Sequence, residues 1–361
     1  DLEIKMNGIS VGKIISRGNN NLDLIRLVAA VSVIIYHSFP LNPQWGLSDP
    51  IKYLFGYMTT GGLAVKVFFF ISGLLVTNSL LSRKSIINFI VSRFFRIFPG
   101  LSFVLIVTAF FIGPIFTSLS TSEYFASEVT FSYVLRNLLL DTQYFLPGLF
   151  DGSKYGVNGS LWTIHYEVLA YATLLGFYLI GIGKIRWVSS LVCLLIIIEP
   201  ITPLKGVLFA SSDKNAIYLL APSFALGALL AINKDLYKSN ITVPALIFTL
   251  QFFSKNEAIS SLFMCSSVCL FLLHISSLDV VRRIKIDHDI SYGVYLWGFP
   301  VQQVISQNFN FGFLTNVTLS IALTMVIAFI SWVLIERPAM NFAKTISTRG
   351  STQSPIKSIH K

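Results

Sequence analysis

The amino-acid sequence predicts an all-α bundle of about ten membrane-spanning helices, and three observations carry that prediction. First, of 361 residues 54% are hydrophobic and 14% aromatic, while only 12% are charged, about half the roughly 25% of an average soluble domain. A water-soluble monomer of that makeup would expose more apolar surface than a globule can hide. Second, apolar stretches close to the ~20 residues that cross a bilayer recur along the chain. Third, the cations sort by side: nineteen of the 27 Lys and Arg fall on connections that share a side with the N-terminus, six fall opposite, and two, Arg26 and Lys66, lie inside apolar stretches. Basic connections face the cytoplasm, so both termini are expected there. The same sorting removes a nucleic-acid reading of the net charge of +10, because the charge spreads along one membrane face instead of forming a compact stripe.

The ten expected spans are 22–39, 62–81, 98–119, 160–182, 187–203, 216–233, 241–254, 259–278, 292–309 and 315–335, the seventh being the shortest. Residues 132–150 hold Arg136, Asp141 and the Pro147-Gly148 pair and read as an interfacial or re-entrant element. Residues 1–21 are polar with no cleavage pattern after the first apolar run, so a cytoplasmic segment and a retained first span are expected. Residues 22–337 then form the membrane domain, and 338–361, rich in Ser, Thr and Lys, a solvated cytoplasmic tail. Cys193, Cys265 and Cys269 sit in apolar runs without paired loop spacing, which argues against a disulfide framework.

Ionisable residues inside spans are expensive and therefore informative. Arg26 and His37 are eleven residues apart, about three helical turns, so they project from one face about 16 Å apart. Snorkelling to opposite interfaces would explain them; an imidazole beside a cavity would instead serve as a general base. Glu167 follows Asn158-Gly159-Ser160-Leu161-Trp162 and lies seven residues into the fourth span, about 10 Å deep. There a carboxylate protonates or takes a partner. A pairing with His37 across two helices, orienting the imidazole as in a catalytic triad, and a polar helix–helix clamp are both compatible with that depth. His165 points away and reads as interfacial. Ser72 and Gly73, set among bulky neighbours, permit close helix approach. Arg93 and Arg96 are i, i+3 before Pro99, so both guanidiniums could meet one phosphate, although orientation by positive charge explains the charge alone. Pro99 itself reads as a stop.

Six segments in order resemble the acyltransferase 3 family of bacterial integral membrane proteins: Arg26-x10-His37, Ile71-Ser72-Gly73-Leu74, Arg93-x-x-Arg96-Ile-x-Pro99, Ser160-Leu161-Trp162 leading to Glu167, Ser291-Tyr292-Gly293-x-Tyr295-Leu296, and Glu336-x-Pro338. The resemblance covers about residues 22–338. It implies ten spans in the bacterial inner membrane and transfer of an acyl group, usually acetyl from acetyl-CoA, to hydroxyls of cell-surface or lipid-linked carbohydrate, lipopolysaccharide O-antigen first. No metal is implied. It also implies roles for residues: His37 as base or acyl relay, Arg26 as its motif partner, and Arg93 and Arg96 with the donor. Arg83 is added as a further donor contact, Glu167 as the group that orients His37, and Ser160, Trp162 and Tyr295 as candidate substrate contacts. Two departures stand out. Gly298 occupies a position where many relatives have His, and no extracytoplasmic hydrolase-like domain follows the last span, so the transfer path is expected within the membrane portion or with a partner. A transporter or flippase of lipid-linked glycan is the competing class; it would favour inverted repeats, and none is visible.

Overall fold

A computed structural model gives the fold, describing residues 8–151, 153–203 and 219–351. The start of the expected sixth span (216–218), residues 1–7 of the expected N-terminal segment and the last ten of the expected tail lie outside the described residues. The protein is about three-quarters helix, and among the described residues the one sheet is a pair of two-residue strands, Ile9–Ser10 and Lys238–Ser239.

Each expected span holds a helix. The first three are α1 (Leu22–Leu41), α2 (Thr60–Arg83) and α3 (Ile86–Val107); next come α4 (Trp162–Leu179), α5 (Arg186–Ile198), α6 (Leu220–Ile232) and α7 (Thr242–Leu250); the last are α8 (Glu257–Ser276), α9 (Ser291–Asn308) and α10 (Phe313–Ser331). Side-chain caps set several starts: Asn21, Thr59 and Ser85 each accept a hydrogen bond from the backbone N–H three residues on, satisfying donors that a helix start leaves open. Among the described residues, five helices are long and apolar enough to cross a membrane: Leu22–Leu41, Thr60–Arg83, Ile86–Phe116, Glu257–Ser276 and Phe313–Ser347. The protein is therefore a membrane protein, and five helices, against ten expected spans, meet the length and hydropathy requirement by themselves. α5 and α6 have 13 residues and α7 has 9. α9 falls short for a different reason. Its tyrosines, glycines and glutamines lower its hydropathy, yet most of its residues are buried by protein, so contact with lipid does not decide its composition.

Two expectations need correction. Pro99 does not stop a helix: it lies inside α3, where its missing N–H and ring cost the carbonyl four residues back its partner while the helix continues on both sides. Arg93 and Arg96 share that helix, as their i, i+3 spacing implies. The tail is not simply solvated, because a π-turn, Trp332–Glu336, leads from α10 into α11 (Arg337–Ser351); Phe342 packs against Phe95 of α3 and Ala343 is buried. In the N-terminal segment Ile9–Ser10 pairs with Lys238–Ser239, and Val11 and Ile14 are fully buried.

α2 and α6 approach most closely. A Cβ on Gly73 would stand 2.0 Å from the Phe224 carbonyl oxygen, and one on Gly227 would stand 2.1 Å from that of Phe70. Backbone meets backbone there, the contact that small residues allow in membrane helices. Gly227→Val is expected to destabilise the protein by about 3 kcal/mol, because a rigid backbone cannot yield to the added methyls. The check is the melting temperature of the detergent-purified variant, and a melt equal to the parent's would mean that the two helices can separate at no cost. Lys66, the second in-span cation, is buried in α2 and donates to the Gly62 carbonyl at 3.2 Å. All three cysteines are buried and free.

Candidate functional site

The site begins at a single carboxylate. Asp289 stands two residues before α9, and its Oδ2 receives Nη1 of Arg26 (α1) and Nη2 of Arg96 (α3), each at 2.6 Å. Its Oδ1 accepts from the Ser291 hydroxyl at 2.6 Å and from the Ser291 N–H at 3.3 Å. One acid thus ties three helices together. Burial alone would raise the Asp289 pKa, but the two guanidiniums and the Ser291 hydrogen bonds outweigh it and hold the carboxyl below the ordinary carboxylate range. Asp23, half exposed one turn before Arg26 on α1, stands 3.9 Å from the same guanidinium as a second, looser counter-charge.

Beside this cluster is a cavity of about 100 Å³ between α1, α2, α3, α4 and α9. Arg26, Arg93 and Arg96 line it together with Glu167, three tyrosines (171, 292 and 295), Ser72 and Thr163. Each tyrosine hydroxyl is held. Tyr171 donates to Glu167 Oε1 and meets the Ser72 hydroxyl at 2.7 Å. Tyr292 donates to the Ile97 carbonyl at 3.0 Å. Tyr295 donates to the Ser160 carbonyl at 3.1 Å and lies 2.7 Å from the Thr163 hydroxyl. The arginines differ in a way their spacing does not predict. Arg96 is committed to Asp289 and also lies 5.9 Å over the Tyr292 ring, whereas Arg93 lies 5.8 Å over the Tyr171 ring. Among the described residues, Arg93 has no carboxylate within 4 Å. Arg93 is the cation with its fork open to an incoming anion.

His37 is not part of the cavity lining. Its ring stands edge-on to Phe299, with centroids 4.8 Å apart, and its buried Nδ1 has no hydrogen-bond partner. Phe299 fits there because Gly159 has no side chain; a Cβ would lie 2.6 Å from the ring. Tyr295 of the cavity and Phe299 are four residues apart on α9, about 6 Å along its axis, so His37 stands one helical turn beyond the cavity. Glu167 and His37 form no ion pair within 4 Å; the partner of Glu167 is Tyr171, on its own helix one turn on. Ser160 contributes its carbonyl to Tyr295 and leaves its buried hydroxyl unpartnered. Trp162 packs on Tyr166 outside the cavity lining, and Arg83, the last residue of α2, is exposed and also outside it.

A family model described as an acyltransferase domain, acyltransferase 3, matches residues 19–336. The chain belongs to that family. An O-acetyl transferase of Shigella phage Sf6 is 30% identical over 341 residues, covering 88% of the chain and 95% of that protein. Nodulation protein 10 of Rhizobium leguminosarum bv. viciae is 27% identical over 91% of the chain and 95% of its own length. A serine/alanine racemase of Enterococcus gallinarum is 28% identical over 64% of the chain, which corresponds to 31% of that larger protein. No solved structure matches.

This acyltransferase is an enzyme with two acids beside the cavity, behind its lining, that sequence spacing passes over. Asp289 could have been found by asking which acid neutralises an arginine inside a span, since it is the acid at the start of the Ser291-Tyr292-Gly293 segment. Glu336 is the other. The π-turn brings it into the core at 2% exposure, where Ser331 donates to Oε1 at 3.2 Å while Oε2 has no partner. A π-turn that re-aims a buried acid is a common mark of a functional position. Gly100 and Gly293 leave room for it: a Cβ on either would stand 3.3 or 3.1 Å from the Glu336 side chain.

Proposed function

We propose that this acyltransferase moves an acetyl group from acetyl-CoA to a hydroxyl of lipid-linked or cell-surface carbohydrate, lipopolysaccharide O-antigen being the first choice, in the bacterial inner membrane with both termini cytoplasmic. One observation carries the reading: a polar cavity holding Arg93 with its guanidinium unclaimed by any described carboxylate opens one turn of α9 from the His37 ring. The printed activity of the Shigella phage relative, O-acetyl transfer, supports the acyl group. The sorting of Lys and Arg supports the orientation, with Arg93 and Arg96 at the cytoplasmic end where the donor arrives.

In this reading Arg93 meets the phosphates of coenzyme A. Arg96 and Arg26, both fixed on Asp289, supply the surrounding positive field, and the pantetheine arm runs along α9 toward His37. The imidazole takes the proton of the sugar hydroxyl as its oxygen attacks the thioester carbonyl. The C–S bond then breaks, and coenzyme A leaves as a thiolate that recovers a proton. In the two-step variant the imidazole nitrogen attacks the thioester first and the sugar oxygen attacks the resulting acetylimidazole. Withholding acceptor separates the routes: a trapped acetyl on the enzyme marks the two-step variant, and its absence during verified donor turnover marks direct transfer.

The test of the reaction is expression in a strain of defined surface glycan, followed by NMR of base-labile O-acetyl signals; an unchanged glycan with the protein present in the membrane would sink it. Arg93→Lys keeps the charge and loses the fork, so KM for acetyl-CoA is expected to rise about tenfold with kcat little changed. An unaltered KM would remove Arg93 from donor recognition.

A further inference from the structure

A second cavity, of about 670 Å³, lies on an adjoining face of α4, between α2, α4, α5 and α6. The volume falls within the roughly 300–1,000 Å³ of ligand-holding sites, and the lining is apolar apart from a few residues such as Thr77, Thr173, Ser189 and Glu199. Its shape is long. Along α4 alone the lining runs from Tyr166 to Tyr178, twelve residues or about 18 Å, more than half of the ~30 Å hydrocarbon layer. Leu169 and Leu195 on its rim are half exposed, so it opens sideways toward lipid.

This cavity shares a wall with the polar one. Phe69 lines both. Tyr171, facing the polar cavity, packs its ring against Phe224, which faces the apolar cavity, with centroids 6.3 Å apart. α4 thus presents Glu167 and Tyr171 to one side and Tyr166 and Ala170 to the other. An apolar slot about 18 Å long suits a single extended hydrocarbon chain, and a compact solute would leave most of its walls without contacts.

We propose that the side cavity holds the hydrocarbon anchor of the acceptor, one long isoprenoid-type chain, and so tethers the attached sugar beside the polar cavity. This rests on the proposed acyl transfer to a lipid-linked carbohydrate. The chain occupies the slot between α2, α4 and α6, the aromatic partition of Phe69, Tyr171 and Phe224 keeps it out of the donor's space, and tethering raises the local sugar concentration without any new sugar contact. Bulk phospholipid chains share the chemistry but carry no acceptor, so the experiment separates the two occupants.

Ala170 and Ala221 line the slot, so the double variant Ala170→Phe/Ala221→Phe fills it. Two measurements on the full-length purified protein decide the matter. In the first, acetyl transfer is compared between the glycan on a long isoprenoid chain and the same glycan released from its chain. The parent is expected to show a KM at least tenfold lower for the anchored form, and the variant is expected to lose most of that ratio. An equal ratio in parent and variant, or no preference in the parent, overturns the proposal. In the second, native mass spectrometry follows retention of a long-chain polyprenyl phosphate. Retention of one chain by the parent and its loss in the variant supports the site, while equal retention in both, or displacement by an equal amount of ordinary phospholipid, overturns it. If neither glycan is acetylated by the parent, the proposed reaction is at fault, and the retention measurement still reads the cavity.

Discussion

Asp289→Asn is expected to destabilise the protein by about 3 kcal/mol and to abolish most of its acyl transfer, the largest structural effect of any single change at the polar cavity. Asn keeps the shape and can still accept from Ser291, but it carries no charge, so Arg26 and Arg96, both 2.6 Å from the same oxygen, are left facing each other. These side chains are 21%, 13% and 20% exposed for Arg26, Arg96 and Asp289, buried enough that an uncompensated pair cannot hydrate freely. The melting temperature in detergent checks the first half and the O-acetyl assay the second. A further substitution distinguishes charge repulsion from simple loss of packing: Arg26→Gln placed on Asp289→Asn removes one of the stranded cations and is expected to recover part of the lost stability. If the double variant were worse than the single by the full cost of Arg26→Gln alone, the carboxylate would not be neutralising a shared charge. The pH dependence has a definite sign. Because the folded pKa of Asp289 lies below its unfolded value, its contribution is fully present above the unfolded carboxylate pKa of about 3.9 and is lost only as pH falls through the folded pKa. Between pH 5 and 8 the triad therefore adds no slope to stability, and a change of activity in that window reports another group.

How much of this was legible in the sequence depends on how far apart the partners lie. Gly73 among large side chains correctly implied a close approach, because the signal is local and steric. Arg26 is conspicuous as a cation inside a span, and Asp23 three residues before it is a local partner at 3.9 Å, but the acid that holds it at 2.6 Å follows 263 residues later, and no spacing rule reaches that far. The depth of Glu167 demands a partner, which is Tyr171 one turn on along the same helix, itself in contact with Ser72 of α2. Pro99 misled because proline is a reliable helix boundary in water, whereas in a bundle neighbouring segments hold the helix on both sides of it. The aromatics of α9 are buried, and Tyr292 and Tyr295 line the polar cavity. Hydropathy ranks lipid exposure, so a helix enclosed by protein escapes it.

His37→Ala is expected to lower acyl transfer by about 10³-fold, in the range that removing a general base produces, with the protein still folded and present in the membrane. The two halves of that expectation come from the same geometry. His37 Nδ1 has no hydrogen-bond partner and the ring's contacts are the aromatic edges of Tyr36 and Phe299, so its removal breaks no polar link in the fold and leaves a small space in a partly exposed site. Binding of acetyl-CoA should survive in the variant, because Arg26, which holds Asp289, stands eleven residues from His37 on α1, about 16 Å along its axis, and the contacts of His37 do not include Arg93; an affinity measurement beside the transfer assay separates the two steps. His37→Gln sharpens the result, since it fills the same space and can hydrogen-bond but cannot take a proton at working pH. Activity in His37→Gln within tenfold of the parent would mean that the residue shapes the site without touching the proton. Loss in both variants with donor affinity intact would leave the imidazole itself as the group that moves it, one turn of α9 from the cavity where the donor is held.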